Sequence, residues 1–189
     1  MKVLQTALPG VLLLEPRVFG DERGFFLETW NAVRYREAGV AVDFLQANHA
    51  RSRRGVLRGL HFQIVRPQAK LVFAIAGEIL DVAVDIRRGS PTFGRWVGAN
   101  LSGENHRQLF VPAGFAHGYC VLSESADVSY LCSDFYAPEG DRGVRWDDPA
   151  IGIVWPPGEM SLSAKDRALP LLADAVDLPL YDPPARGEG

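Results

Sequence analysis

Apolar and polar residues alternate with a period of two through much of the chain. Leu80, Val82, Val84 and Ile86 alternate with Asp81, Ala83 and Asp85, the pattern of a strand buried on one face. Val128, Tyr130 and Cys132 alternate with Asp127, Ser129 and Ser133, although Leu131 interrupts that polar face. Further strands are expected over 24–29, 44–48, 70–76, 95–101, 108–111 and 117–122. Turn residues separate them at Gly77-Glu78, Gly89-Ser90-Pro91, Pro112-Ala113-Gly114 and Pro138-Glu139-Gly140. Many short strands punctuated in this way predict an all-β sandwich or barrel. Helical signals are confined to the periphery. One covers 31–38 and stops at Gly39; the other is a short turn with Ser163 as N-cap and Asp166 in its first turn, soon interrupted by Pro170. No repeat, low-complexity block or long linker divides the chain. A single domain is expected over 1–180, followed by a frayed tail rich in Pro and Gly at 181–189.

Composition narrows the partners. The 189 residues carry 20 basic and 23 acidic side chains, a net charge of −3. Such a balance lacks the basic face of nucleic-acid or membrane-surface proteins, so neither partner is expected. Cys120 and Cys132 lie in apolar, strand-like stretches and read as buried free thiols in a reducing compartment. The apolar run Val11–Leu14, set between Pro9-Gly10 and Glu15-Pro16, is too short for a secretory core or a membrane span. A soluble, cytoplasmic protein is expected.

The candidate chemistry is acid–base chemistry. His49, His61, His106 and His117 show no His-X-His spacing that would converge on a metal, so no metal site is expected. There is no Gly-X-Ser-X-Gly elbow and no Gly-rich loop leading from strand to helix, which leaves nucleophilic triads and bound dinucleotides without support. The densest stretch is Arg58-Gly59-Leu60-His61-Phe62-Gln63. Burying that much polarity is costly unless a cavity receives it. In a regular strand Arg58 and His61 would face opposite ways; a bulge at Gly59 would bring both to one pocket. Only three lysines occur (Lys2, Lys70 and Lys165), and Lys70 opens a predicted strand in a chain that otherwise chooses Arg. Taken alone, His61 reads as a satisfied core histidine, Lys70 as a snorkelling edge residue and Tyr130 as a packed strand tyrosine.

Longer motifs change that reading. The segments FGDERGFFLE (19–28), GVLRGLHFQ (55–63), DVAVDIRRGSPTFG (81–94), VPAGFAHG (111–118) and RWDDP (145–149) resemble, in order, the dTDP-4-dehydrorhamnose 3,5-epimerase family. The resemblance runs from about residue 3 to about residue 175. It implies a jelly-roll, cupin-like β-barrel or sandwich with a few short peripheral helices. It also implies a homodimer that needs no metal or organic cofactor and acts on dTDP-4-dehydro-6-deoxy-D-glucose. By the same resemblance His61 is the base, Tyr130 the opposing proton donor, Lys70 the enolate stabiliser and Asp166 the partner of His61. Arg23, Glu28, Gln46, Ala47, Asn48, Arg58, His117, Asp141 and Lys165 are implied in substrate binding, some of them across the dimer. Two positions depart from the family pattern: Ala47 stands where Asp is common, and Asp141 where Glu is usual. Relatives that epimerise only C3 or only C5, or that isomerise the ketone, share this machinery. A nucleotide-sugar-binding barrel without activity and a metal-dependent cupin oxygenase are the readings from other classes.

Overall fold

A computed structural model of the chain describes residues 1–183. Its strands are β1 (Lys2–Gln5), β2 (Leu12–Glu15), β3 (Val18–Asp21), β4 (Gly24–Leu27), β5 (Gln46–Arg53), β6 (Leu57–Gln63), β7 (Lys70–Ala76), β8 (Glu78–Asp85), β9 (Trp96–Ser102), β10 (Gln108–Val111), β11 (Phe115–Val121), β12 (Ser125–Cys132) and β13 (Asp141–Gly143). Two short helices, α1 (Ala32–Glu37) and α2 (Ala164–Arg167), lie where the sequence places them, capped by Asn31 and Ser163. The strands form a six-stranded sheet in the order β1-β2-β10-β7-β12-β5 and a five-stranded sheet in the order β13-β6-β11-β8-β9. All named strand pairs are antiparallel, and the hairpin β3–β4 stands apart. The sheets remain two separate layers, so the expected jelly roll takes its sandwich form rather than a closed barrel.

The core explains why these segments pair. Val72, Leu109 and Val128 of one sheet pack against Ile79, Leu101 and Val121 of the other. Outside the five-stranded sheet, Leu172, Ala175 and Leu178 of the C-terminal segment cover Leu60, Val82 and Val84. Outside the six-stranded sheet, Tyr35 of α1 and Val40 cover Leu14, Leu71 and Phe110. Leu131, which spoils the polar face of β12, packs on this outer cluster.

β8 corrects an expectation. Its alternation reads as a strand with one face exposed, yet Asp81 and Asp85 are fully buried. The even-numbered residues meet the C-terminal segment and the odd-numbered ones face the sandwich interior, so both faces are covered. Asp85 accepts bonds from Arg87, Ser90 and Thr92, which satisfy it internally. At the start of the segment expected as a tail, Tyr181 donates its backbone N–H to the Arg88 carbonyl, and its ring lies under the Arg87 guanidinium. Residues 184–189 of that tail lie outside the described residues.

The bulge expected at Gly59 is present. His61 pairs with His117 and Arg58 with Tyr119, so three steps along β6 match two along β11. The extra residue turns Arg58 to the inner face beside His61. Gly59 takes φ +122°, and a Cβ there would meet the Gly118 Cα at 2.6 Å. A Cβ on Gly118 would in turn lie 2.6 Å from the Arg58 carbonyl oxygen. Gly118→Ala is therefore expected to force β6 and β11 apart and cost about 1–3 kcal/mol, the usual penalty for overpacking. Chemical denaturation reads this as a lower midpoint; an unchanged midpoint would show that the strands yield freely.

Candidate active site

The inner faces of the two sheets are apolar over part of the sandwich and open into a cavity of about 450 Å³ over the rest. Arg58 and His61 of β6, Lys70 of β7, His117 of β11 and Tyr130 of β12 line it, with Lys165 and Asp166 of α2. A second cavity of about 280 Å³ shares His61, Lys70 and Tyr130 and adds Gln46, Asn48, Tyr136 and Asp141. His61 thus projects from one sheet, while Tyr130 and Lys70 project from the facing one.

Each side chain is held by its element. Cys132 pairs with Lys70 across β12 and β7, which sets Tyr130 diagonally across from Lys70 on the same face. α2 begins at Ser163, whose Oγ accepts the Asp166 N–H at 3.1 Å. This cap orients the first turn so that the buried Asp166 carboxylate reaches His61 Nε2 at 2.6 Å. An ionised carboxylate only accepts, so His61 Nε2 carries a proton and Nδ1 presents its lone pair. Burial alone would raise the Asp166 carboxyl. The bonds from His61, Ser163 and the Gly59 backbone outweigh burial and hold it below the ordinary carboxylate range.

The facing wall is tuned in two directions. Burial pushes the Lys70 ammonium below the usual lysine range, against the opposing pull of Cys132, Asp81 and Asp141. Burial, then Cys132 and Tyr119, raise the Tyr130 phenol, with Arg58 opposing. At the mouth Asp141 accepts from Lys165 and from the Tyr136 hydroxyl at 2.8 Å. Burial would raise Asp141, but these two bonds prevail and lower it.

Three of the expected residues are not brought to either cavity. Arg23 sits on the β3–β4 hairpin, paired to Asp21 at 2.6 Å with its side chain 85% exposed. Glu28 pairs with Arg34 at 2.8 Å. Ala47 is exposed and lines neither cavity, while its neighbours Gln46 and Asn48 line the second. His49 bonds Asp127 on the outer face. Sequence reasoning missed Tyr136, whose half-exposed ring walls the second cavity, and Asp81, whose Oδ1 lies 2.8 Å from His117 Nε2. The clue to Asp81 is an acid placed inside an otherwise apolar strand. Both thiols are free and buried, as expected. Among the described residues no cluster of three or more His, Cys, Asp or Glu could hold a metal ion, and no helix is long and apolar enough to cross a membrane.

Together these groups can remove a proton from carbon on one side of a bound molecule, return one from the other side, and stabilise negative charge between them. Known proteins of the same build are epimerases by name. The chain is 56% identical over 181 residues to dTDP-4-dehydrorhamnose 3,5-epimerase of Pseudomonas aeruginosa PAO1, covering 95% of this chain and 100% of that one. It is 54% identical to the Salmonella typhimurium enzyme of the same name, over 93% of this chain and 98% of that one. Its fold superposes with a TM-score of 0.94 on dTDP-6-deoxy-D-glucose-3,5-epimerase from Legionella pneumophila Philadelphia 1 in complex with dTDP-4-keto-L-rhamnose; the two share 50% identity over 96% of this chain and 99% of that one. Residues 5–174 match the model of the dTDP-4-dehydrorhamnose 3,5-epimerases, and the chain belongs to that family.

Proposed function

We propose that the protein is a dTDP-4-dehydrorhamnose 3,5-epimerase that converts dTDP-4-dehydro-6-deoxy-D-glucose to dTDP-4-dehydro-L-rhamnose. The observation that carries this reading is that His61 of one sheet, bonded to Asp166 of α2, faces Tyr130 and Lys70 on the other sheet. The C4 ketone acidifies C3 and C5, because either carbanion delocalises onto O4 as an enolate. His61 Nδ1 takes the proton, and Asp166 stabilises the imidazolium that forms. The Lys70 ammonium stands by the negative O4, and Tyr130 delivers a proton to the opposite face. Arg58, His117 and Lys165 supply cations or donors for the diphosphate, and Tyr136 an aromatic face for the base.

The protein works in the cytoplasm as a homodimer in this reading. The hairpin of one chain carries Arg23 with exposed Phe25 and Phe26 to the partner's cavity, which accounts for the absence of Arg23 from its own.

Incubation with the 4-keto substrate in D₂O, followed by NMR, tests the reading. Deuterium at both C3 and C5 is expected; incorporation at one carbon alone would make the protein a mono-epimerase, and none would refute epimerisation. Tyr130→Phe keeps the ring and removes the proton. Turnover is expected to fall by about 10²-fold or more, with substrate affinity nearly unchanged; full turnover would remove Tyr130 from the mechanism.

A further inference from the structure

The cavity contains a second imidazole–carboxylate pair, and the reading above uses only its imidazole, His117, leaving Asp81 without a role. His117 pairs across the strands with His61, so the two imidazoles stand side by side on the five-stranded sheet. His117 Nε2 meets Asp81 Oδ1 at 2.8 Å, with the two side chains 8% and 0% exposed. Asp81 Oδ2 is buried and has no partner among the described residues. A carboxylate that deep needs a hydrogen-bond donor, and the imidazole N–H is the only described side-chain donor bonded to it. Because Asp81 accepts at Nε2, the other ring nitrogen, Nδ1, is the one left for a ligand, and no described residue bonds it.

The charge balance of the cavity gives this pair a purpose. Three cations (Arg58, Lys70 and Lys165) line the two cavities of one chain, against the three carboxylates Asp81, Asp141 and Asp166. With both histidines neutral, the site of a single chain carries no surplus positive charge for an esterified diphosphate with its two negative charges. Arg23 reaching over from a second chain would supply only one. The charged and titratable groups that bond His117 or line its cavity are Asp81 from β8, Arg58 and His61 from β6, Lys70 from β7, Tyr119 from β11, Tyr130 from β12, and Lys165 and Asp166 from α2. Imidazole is the side chain among them that ordinarily exchanges a proton near neutrality. His61 has to stay neutral to act as the base, which leaves His117.

We infer that Asp81 is a positioning residue: it fixes His117 with Nε2–H toward itself and stabilises an imidazolium that forms when the diphosphate binds, so that the ligand enters with one proton taken from solvent. The inference rests on the epimerase reading of the site. Its probe is dTDP-D-glucose, whose esterified phosphates have no proton to exchange near neutrality and which lacks the reactive ketone. Calorimetric titration at pH 8 in buffers of different ionisation enthalpy is expected to show close to one proton taken up by the wild-type protein. The uptake should persist in His61→Asn. In Asp81→Asn it should vanish, with affinity at least tenfold weaker and KM raised more than kcat is lowered.

Nitrogen-15 NMR of the wild-type protein supplies a measurement that does not depend on the variant folding. His117 should be protonated at Nε2 alone when free and at both nitrogens when dTDP-D-glucose is bound. A neutral His117 in the complex, or a folded Asp81→Asn protein that retains both affinity and uptake, would overturn the inference while leaving the epimerase reading intact. If the wild-type protein fails to bind dTDP-D-glucose and also fails to exchange substrate protons, both fall together.

Discussion

His61→Asn is expected to abolish deuterium incorporation at C3 and C5 alike and to lower turnover by roughly 10²–10⁴-fold, about 3–5 kcal/mol of barrier. One imidazole serves both carbons because C3 and C5 flank the same ketone and lie on the same ring. The substitution keeps a polar side chain in a position where the native ring is 31% exposed, so the fold has little reason to change. Asp166 remains buried in the variant without its imidazole, and the Ser163 and Gly59 backbone contacts continue to hold its charge. Substrate affinity should therefore change far less than turnover. Exchange that persisted at one carbon would identify a second base, and His117, paired with His61 across the strands, would be the first to test.

The site was legible in the sequence to the extent that its determinants are local. Gly59 sits between Arg58 and His61, so the bulge that aligns them could be read from four consecutive residues. Ser163 announces α2 and the placement of Asp166, but nothing local says that this carboxylate meets an imidazole 105 positions earlier; the family resemblance supplied that link. The burial of Asp81 and Asp85 was misread for the complementary reason. A period-two pattern reports chemical type, and acids signal an exposed face unless a distant partner bonds them; here His117 does so for Asp81. The strands β1, β2, β3 and β13 were missed: each is only three or four residues long, and β3, exposed throughout, pairs only within its own hairpin. Arg23 and Glu28 mark another boundary, since a single chain does not bring them to its own cavity.

Lys70→Met is the replacement expected to have the next largest effect, lowering turnover by about 10²–10³-fold, the usual cost of removing one preorganised donor from a developing oxyanion. Methionine matches the length of the lysine stem, so β7 keeps its packing while the positive charge beside O4 is lost. Arginine should not rescue the activity, because a planar guanidinium fork cannot take the place of a compact ammonium between Tyr130 and Cys132. The pH profile gives an independent check. Lys70 acts as the ammonium, and burial lowers its pKa, so activity that depends on it is present at neutral pH and is lost as pH rises through that lowered value. The alkaline limb should therefore fall below the range of an ordinary lysine. Tyr130 cannot produce this limb, because burial and its neighbours raise its pKa and keep the phenol protonated to higher pH. In Lys70→Met the limb should disappear from that range while the residual activity remains sensitive to Tyr130→Phe. An unchanged limb in the variant would assign it to another group and remove Lys70 from the stabilisation of the enolate.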